Sequence, residues 1–467
     1  MTERQNSLEG ITDLQDTVTP FGVQLRGKYK RTGAYAAFND RVPVILTRVI
    51  DSLSRDKDEI VKKYGKLSGE DVKQVIGYIS KLKNEIVTNK PFIPLVCLPD
   101  GSSEDLKNIK MWNDYLEERT KIEGKVPAWY NTVALYAECY AYRRVTEGFK
   151  LTKTLRSYDP FAKQKEESFD GSVASAIAVA NYTLSQVERA QQASSAELKH
   201  ELAKFLRLSL WGNRCDLSLS GGAENGQIGN PLELLNALEK DVLVDDTNFV
   251  WDVLVKAQKN GGLVLVDIVL DNAGYELFTD LCLATFLTAH KIAKKIRIYV
   301  KDLPWFISDV TTNDFHWMIE RMIELSNPDL NQLGKLIKSY LESGAWSVEK
   351  DAFWTSPFPF LEMSQKDPAL YAKLSEANLL VIKGDLNYRK LTGDVNWEYS
   401  TNFLEATKGF SPTNFVSLRS IKSNTCAGLK SEQGQYLDKT DPNWMLSGQY
   451  GLIQGTIDAC ICSKTSS

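Results

Sequence analysis

The sequence predicts an α/β fold in which a helical amino-terminal half precedes a parallel β-sheet. The prediction rests on a change in apolar spacing near residue 211: apolar residues recur at helical intervals before it, and short β-branched segments alternate with helical ones after it. Parallel strands need a crossover connection, which a helix between two strands supplies. We therefore expect a mainly helical domain over residues 1–220 and an α/β domain over residues 221–467.

The helical half contains five apolar series whose spacing is typical of a helix with one buried face. They are Val42 to Leu53, Val72 to Ile86, Trp129 to Tyr140, Val173 to Val187 and Leu202 to Leu210. Two runs of mixed charge between them, 55–63 and 163–167, indicate solvated helix faces rather than a binding patch. This half is therefore predicted to be a helical assembly.

The second half begins after a glycine-rich stretch at 220–230, and four of its short apolar segments are predicted to be strands. They are Leu263 to Leu270, Lys295 to Val300, Leu379 to Ile382 and Phe415 to Leu418. A helical segment, Tyr275 to Lys291, separates the first two strands. This succession of strand, helix and strand indicates a parallel sheet with helices on its faces.

Composition excludes several classes of protein. The 467 residues carry 56 Lys and Arg against 60 Asp and Glu, so the chain lacks the basic excess of a typical nucleic-acid binder. No apolar run approaches the roughly 20 residues that span a bilayer, and the polar amino terminus lacks the apolar stretch of a secretion signal. Seven scattered cysteines favour reduced thiols. We expect a cytoplasmic protein, with the nucleus as a second location, that binds neither nucleic acid nor membrane.

Residues that suit metal ligation follow the predicted strands. Ligands of open parallel sheets bind beyond the carboxyl ends of the strands, where Asp271 and Asn272 follow the first strand and Asp309 follows the second. Two carboxylates and an amide oxygen, without His or Cys, suit Mg²⁺ or Mn²⁺. Three cations follow the other two strands and would neutralise phosphate oxygens: Lys383, Arg389 and Lys422.

Structural alternatives stay open for each of these residues. Asp271 and Asn272 precede a predicted helix and could cap it, and the segment Asp309 to Asn313 could start the helix Phe315 to Glu324. The segment Gly384 to Tyr388 could be a plain turn. His200, His290 and His316 are not spaced as a ligand set, and Cys460 and Cys462 have no second pair nearby, so we expect these five residues to be structural. Asn213 and Asp216 could support the site or cap a turn.

Motifs of other enzyme classes are absent from the sequence. No G-x-G-x-x-G, no G-x-x-x-x-G-K-[ST] and no G-x-S-x-G is present, so dinucleotide, P-loop and serine-hydrolase functions lose support. Longer strings are more informative: Asp40-Arg41-Val42-Pro43, Leu210 to Gly222, Leu270 to Leu277, Pro304 to Asp309 and Lys383 to Asp394. Through these strings nearly the whole chain resembles the damage-control phosphatases. This metal-dependent family is also described as protein-glutamate methyltransferase-like, and the resemblance is to its branch with a late R-T-x-K motif.

The resemblance implies an α/β/α sandwich with a Rossmann-like parallel sheet behind a helical amino-terminal part. It also implies a divalent metal ion, with Mn²⁺ or Ni²⁺ preferred over Mg²⁺ or Co²⁺. The family's metal-binding and catalytic positions fall on Asp271, Asn272 and Asp309, and the first two of these also contact substrate. Its substrate segment falls on Asp385, Leu386, Asn387, Tyr388 and Arg389, and its late lysine falls on Lys422. Glu276 corresponds to a position assigned to S-adenosylmethionine contact. The second position of the late motif is Ser420 rather than Thr, which keeps a hydroxyl group.

The function that this resemblance implies is hydrolysis of small sugar phosphates, with fructose 1-phosphate and fructose 6-phosphate as candidate substrates. We expect Lys383 to join Arg389 and Lys422 in stabilising the phosphate, and Asp385 and Asn387 to orient sugar hydroxyls. The family's other description implies S-adenosylmethionine-dependent methylation of protein glutamates, but no glycine-rich loop follows the first predicted strand. A third hypothesis is that the protein is a metal-dependent binding or scaffold protein without catalytic activity. The sequence does not indicate which protein partners the chain has.

Overall fold

The structure, a computed structural model, describes residues 13–97, 100–190, 192–220, 231–430 and 432–456. The side chains of residues 213–220 and 231 are not described. Two sequence-based expectations therefore lie outside the described part of the chain: the pair Cys460 and Cys462, and the roles of the Asn213 and Asp216 side chains. The glycine-rich residues 221–230 also lie outside it.

The amino-terminal half is helical, as predicted. Its helices are α1 (Gly33–Ala36), α2 (Val42–Arg55), α3 (Lys57–Tyr64), α4 (Ser68–Val87), α5 (Ser103–Glu123), α6 (Ala134–Lys150), α7 (Ala162–Gly171), α8 (Val173–Glu188) and α9 (Ser195–Ser220). A π-helical turn, Ala37–Arg41, joins α1 to α2. The five apolar series fall on α2, α4, α6, α8 and α9, although Trp129 and Val133 precede the third of these helices.

The carboxyl-terminal half alternates strands with helices. Its elements are α10 (Pro231–Leu238), β1 (Val242–Asp245), α11 (Thr247–Lys259), β2 (Leu265–Val269), α12 (Tyr275–Ala289), β3 (Lys295–Val300), α13 (Thr312–Glu324), α14 (Pro328–Glu342), β4 (Trp346–Lys350), α15 (Met363–Lys366), α16 (Pro368–Leu374), β5 (Leu379–Lys383), α17 (Gly384–Leu391), α18 (Phe403–Ala406), β6 (Phe415–Ser420), α19 (Gln433–Thr440) and β7 (Gly451–Thr456). Three short 3₁₀ turns, Glu239–Asp241, Ala352–Thr355 and Phe360–Glu362, complete the described elements.

The seven strands of the described chain form one sheet with the order β1-β7-β6-β5-β2-β3-β4. All neighbouring strands are parallel except β6 and β7, which are antiparallel. The four strands predicted from sequence are β2, β3, β5 and β6. Because β6, β5, β2 and β3 are consecutive parallel neighbours, their carboxyl ends meet at one edge of the sheet.

Helices cover both faces of the sheet, because the central strands are apolar on both sides. Val266 and Ile268 of β2 pack into a core with α8, α9, α12, α13 and α14. Val269 of β2 and Leu380 of β5 belong to a second core, which contains α2, α4 and α6. The fold is thus helix, sheet and helix in three layers, which confirms the predicted α/β fold class with its helical amino-terminal region. The limits of two separate domains stay a prediction.

Close packing of α9 against α12 depends on one glycine. A Cβ atom on Gly212 would lie 2.6 Å from the Thr279 hydroxyl and 2.9 Å from the Glu276 Cα. The missing side chain lets α9 approach the amino-terminal turns of α12, next to the strand ends. None of the described helices has both the length and the apolar character needed to cross a lipid bilayer.

Candidate active site

A cavity of about 240 Å³ lies at the edge where the four parallel strands end. Eight sequence-predicted site residues line it: Asp271, Asn272, Glu276, Asp309, Asp385, Leu386, Arg389 and Lys422. They come from four separate connections, those that follow β2, β3, β5 and β6. The structure does not bring Lys383, Asn387 or Tyr388 to this cavity.

The connections after β2 and β3 are joined directly. The Val310 N–H donates to the carbonyl of Asp271 at 2.9 Å, and the Ala273 N–H donates to the carbonyl of Ser308 at 2.7 Å. Asn272 and Asp309 thereby face each other across an isolated antiparallel bridge. Two residues that are 37 positions apart in sequence are held side by side.

Neither Asp271 nor Asn272 caps the helix that follows them. The residue before α12 is Gly274, and no side chain accepts a hydrogen bond at this helix start. Instead, Asn272 Nδ2 donates to Asp271 Oδ2 at 2.9 Å and to Glu276 Oε2 at 2.8 Å. The Ser308 hydroxyl donates to Asn272 Oδ1 at 2.5 Å. The helix-capping alternative is therefore wrong for this pair.

The segment Asp309 to Asn313 does start the helix α13, but Asp309 is not its cap, and two buried lysines hold Asp309. Helix α13 is capped by Thr311, which forms a capping box with Asp314. The Lys301 ammonium lies 3.4 Å from Asp309 Oδ2, and Lys165 Nζ donates to the Asp309 carbonyl at 3.5 Å. Lys301 directly follows β3, but the sequence analysis gave it no role. Lys165 lies in the run 163–167, which was predicted to be a solvated helix face, and its burial shows that this prediction is wrong at Lys165.

Three carboxyl groups are crowded at the cavity. Burial, together with the negative charges of Asp309 and Glu276, raises the pKa of Asp271 well above its ordinary value. Burial raises the pKa of Asp309 to about 6, although Lys301 opposes the shift. Without a further positive charge, Asp271 and Asp309 resist being ionised together.

The donor set fits a hard divalent cation. Asp271, Asn272 and Asp309 offer carboxylate and amide oxygens, the ligands that Mg²⁺ and Mn²⁺ prefer, and a bound cation would offset the repulsion between the two carboxylates. The described residues contain no cluster of three or more His, Cys, Asp and Glu arranged to hold a metal ion. The set here is smaller, with two carboxylates and one amide, which suits an ion that keeps several water ligands.

Gly384 allows the end of β5 to approach Asp271. Its φ is +85°, and a Cβ atom there would lie 1.9 Å from Asp271 Oδ2. A side chain at this position is therefore excluded twice, by the backbone conformation and by the carboxylate.

We expect Gly384→Ala to displace the Asp271 carboxylate and to weaken metal affinity by about tenfold or more, as disturbed ligand orientation typically does. Titration of the purified variant with Mn²⁺, followed by calorimetry, measures this change. Gly409→Ala is the control, because Gly409 also has a positive φ but has no atom within 4 Å of the added Cβ. Equal Mn²⁺ affinity of the two variants would contradict the assignment.

The predicted substrate segment is the helix α17, so the plain-turn alternative for Gly384 to Tyr388 is wrong. Helical spacing places Asp385, Leu386 and Arg389 at the cavity and sends Asn387 to the opposite side. Asn387 Nδ2 donates to the carbonyls of Lys383 at 2.8 Å and of Leu270 at 3.3 Å, so this residue joins the ends of β5 and β2. It does not reach a substrate in the cavity, contrary to the expectation that it orients sugar hydroxyls.

Tyr388 supports the site from behind. Its ring is fully buried, the Arg419 guanidinium stacks over it at 3.9 Å, and its hydroxyl accepts the Ala427 N–H at 3.2 Å. Arg419 Nη2 lies 2.7 Å from Asp385 Oδ1, which also accepts the backbone N–H of Lys422 at 3.1 Å. The carboxylate of Asp385 therefore holds the connection that carries Lys422.

Lys383 is buried away from the cavity. Its ammonium lies 2.9 Å from Asp280 Oδ1 and donates to the Ser209 hydroxyl at 2.9 Å, and it lies 3.5 Å from Glu276 Oε1. Burial raises the pKa of Asp280 to about 7. Lys383 therefore neutralises carboxylates beneath the site. It does not line the cavity, so the expected direct contact between Lys383 and phosphate is not supported.

The remaining two predicted cations differ in how they are engaged. Arg389 is buried, and its guanidinium donates hydrogen bonds to the carboxylate of Asp394, at 2.8 and 3.2 Å, and to that of Glu138, at 2.9 Å. Lys422 is exposed at the cavity and has no ion pair with any described residue. Lys422 is thus the better placed of the two to meet an anion. Ser420 also lines the cavity, and its hydroxyl donates to the Leu210 carbonyl at 3.4 Å.

The helical half supplies another wall of the cavity. The lining residues from this half are Leu25, Gly33, Ala34, Arg41, Ile45, Glu138, Tyr142 and Leu210. Arg41 Nη2 lies 2.9 Å from Glu138 Oε2. Sequence analysis did not assign these residues to the site, although Arg41 lies in one of the strings that carry the family resemblance.

Comparison with known proteins gives a consistent result over most of the chain. The model of the damage-control phosphatase ARMT1-like domain matches residues 37–437. The chain is 37% identical over 436 residues to damage-control phosphatase ARMT1 of Danio rerio, covering 92% of this chain and 96% of that protein. It is 39% identical over 437 residues to the Homo sapiens protein of the same name, covering 92% and 97%. The Mus musculus protein is 39% identical over 435 residues, with the same coverage.

Proposed function

Because the chain belongs to the ARMT1-like damage-control phosphatases, and is thus a phosphoric monoester hydrolase, we propose that it hydrolyses small sugar phosphates with a divalent metal ion. Asp271, Asn272 and Asp309 would hold the ion. Fructose 1-phosphate and fructose 6-phosphate are the candidate substrates. The preferred ions are Mn²⁺ or Ni²⁺, with Mg²⁺ or Co²⁺ as alternatives.

One observation carries the proposal: two buried carboxylates with raised pKa and an amide oxygen share a small cavity with an unpaired lysine. A divalent ion there supplies charge stabilisation for phosphate oxygens and a bound water of lowered pKa. The cavity volume of about 240 Å³ lies just below the roughly 300–1,000 Å³ of common ligand sites, which suits a small metabolite.

Other described residues would neutralise the phosphate and hold the binding groups in position. Lys422 would neutralise phosphate oxygens that face away from the metal site. Asp385, held by Arg419, keeps the Lys422 backbone in place through its hydrogen bond with the Lys422 N–H. Lys301 and Lys165 hold Asp309 by its carboxylate and its carbonyl, so the ligand oxygens are oriented before substrate binds.

The direct test is phosphate release from a panel of sugar phosphates by the full chain, assayed with each of the four metal ions. We expect release from the fructose phosphates and a ranking of the metals. No release from any phosphate ester with any of the metals would defeat the proposal. A methyl-transfer assay with S-adenosylmethionine and protein carboxylates would then test the family's other description, for which Glu276 is the residue in the cavity.

We expect Lys422→Ala to lower turnover of the best sugar phosphate by about 10²-fold, the usual cost of losing one preorganised charge. Lys439→Ala on the exposed side of α19 is the control, since Lys439 does not line the cavity. Steady-state kinetics of both variants measures the difference. Turnover within about threefold of the unmodified protein would exclude Lys422 from phosphate stabilisation.

A further inference from the structure

The string Asp40-Arg41-Val42-Pro43 has no part in the proposed metal and phosphate chemistry, yet it lies against the cavity. Arg41 ends the π-helical turn Ala37–Arg41, in which the Val42 N–H bonds to the carbonyl of Ala37. Pro43, which follows, has no backbone N–H to continue an α-helical ladder. Single π turns of this kind occur often at functional sites.

The Arg41 guanidinium has hydrogen-bonding capacity left for a ligand. Its side chain is 55% exposed, it lines the cavity, and it makes one hydrogen bond to a described side chain, that of Glu138. A guanidinium has five N–H donors. Arg389, by contrast, has bonds to carboxylate oxygens from each of its three nitrogens.

The cavity wall that carries Arg41 and Glu138 differs in net charge from the wall formed by the strand ends. Two guanidinium groups, of Arg41 and Arg389, share the two carboxylates of Glu138 and Asp394, so the group is neutral as a whole. Lys422, on the side formed by the strand ends, is unpaired within the described chain. An anionic phosphate is therefore favoured near Lys422. The neutral pair of Arg41 and Glu138, which offers both donors and acceptors, suits hydroxyl groups.

We infer that Arg41, held by Glu138, is a substrate-binding residue that donates hydrogen bonds to the hydroxyl groups of the sugar. The inference rests on the proposed phosphatase function and narrows its substrate class to monophosphate esters of neutral polyhydroxy compounds. A second phosphate on the substrate would meet guanidinium groups whose charge is already balanced, and it would lose its hydration without gaining a free cation.

The test compares a substrate that has sugar hydroxyls with one that lacks them. Arg41→Ala is assayed with the best sugar phosphate of the panel and with p-nitrophenyl phosphate, and inorganic phosphate is used as a product inhibitor. Loss of hydrogen bonds from a charged donor should raise KM for the sugar phosphate by about 10- to 100-fold. We expect KM for p-nitrophenyl phosphate and Ki for inorganic phosphate to stay within about twofold, a shift too small for a lost hydrogen bond.

Arg48→Ala is the matched control, because Arg48 is exposed on α2 but does not line the cavity. Its kinetic constants should equal those of the unmodified protein. The unmodified protein should also hydrolyse a sugar bisphosphate with kcat/KM about tenfold or more below that for the monophosphate, the value of about one hydrogen bond. A bisphosphate hydrolysed as well as the monophosphate would overturn the inference about substrate class.

Two results would overturn the role of Arg41. Equal losses with both esters and with inorganic phosphate would make Arg41 a phosphate ligand, and unchanged constants would make it a surface residue. If Arg41→Ala does not fold, Arg41→Lys keeps the ion pair with Glu138 and must still raise KM for the sugar phosphate alone. An unmodified protein that releases no phosphate from any ester defeats the proposed function and this inference together. An active protein with unaffected Arg41 variants defeats the inference only.

Discussion

Asp271→Asn is expected to reduce metal-dependent phosphate release by about 10³-fold or more, because the charge stabilisation that a divalent ion held by Asp271 would supply is worth several kcal/mol. The substitution keeps the shape of the side chain and an acceptor for Asn272 Nδ2, which lies 2.9 Å from Asp271 Oδ2. The loss would therefore come from the missing negative charge. Steady-state assays with saturating Mn²⁺ measure it.

The same variant should be more stable than the unmodified protein when no metal is present. The pKa of Asp271 is raised in the folded protein by burial and by Asp309 and Glu276, so its ionised form disfavours folding at neutral pH. This free-energy cost is absent below the pKa that the Asp271 carboxyl has in the unfolded chain, and it develops as the pH rises above that pKa. Denaturant unfolding in EDTA at pH 7.5 should show a higher free energy of unfolding for Asp271→Asn.

A metal-binding measurement distinguishes a role of Asp271 as a metal ligand from a purely structural role of this residue. Mn²⁺ at about 100 times its Kd should stabilise the unmodified protein by about 2.7 kcal/mol and should leave Asp271→Asn almost unchanged. Asp170→Asn is the control, since Asp170 forms an exposed ion pair with Arg321. Retained activity in Asp271→Asn, or an equal stabilisation by Mn²⁺, would contradict the assignment of Asp271 as a ligand.

Arg389→Ala is expected to destabilise the folded protein by about 3–5 kcal/mol, because it leaves the buried Asp394 carboxylate without its ion-pair partner and leaves buried Glu138 paired with Arg41 alone. Glu138 is 4% exposed and Asp394 is 1% exposed. Asp394 also accepts the Leu135 N–H at 2.9 Å, so the group fastens α6 to the segment after α17. Urea unfolding followed by circular dichroism measures the change.

Arg321→Ala is the control for this prediction, because its partner Asp170 is exposed and such pairs contribute about 0–1 kcal/mol. Arg389→Lys should also lose most of the stability, since one ammonium cannot replace bonds from three nitrogens. A change below about 1 kcal/mol in Arg389→Ala would show that the buried group is dispensable, as a surface pair would be.

The central strands could be predicted because burial on both faces demands continuous apolar, β-branched residues. Strand β3 has the predicted limits, Lys295–Val300, and β5 extends one residue beyond its prediction, to Lys383. Strands β1 and β4 were not predicted, because these edge strands are only partly buried and carry charged residues. Strand β7 was missed as well, and its antiparallel pairing with β6 follows no crossover pattern.

The metal site could be predicted in part because parallel strand ends converge. Asp271, Asn272 and Asp309 follow neighbouring strands, so topology alone brings them near one another. The role of Asn387 could not be derived in this way, since it depends on α17 being helical. A glycine start and four polar residues out of eight gave that short segment little helical signal.

The wall from the helical half depends on contacts that sequence patterns do not reveal. Arg41 and Glu138 are 97 residues apart, and Glu138 and Arg389 are 251 residues apart. Each residue alone matches an ordinary charged position on a helix. Only the packing of α6 against both the π-helical turn Ala37–Arg41 and the segment that follows β5 brings them together at the cavity.

The measurement that tests the central claim most directly is phosphate release from fructose 1-phosphate and fructose 6-phosphate before and after metal removal. The purified chain is assayed as isolated, after treatment with EDTA, and after addition of excess Mn²⁺. The account predicts that EDTA abolishes release and that Mn²⁺ restores it, with no restoration in Asp271→Asn. Release that persists at full rate in EDTA would contradict it.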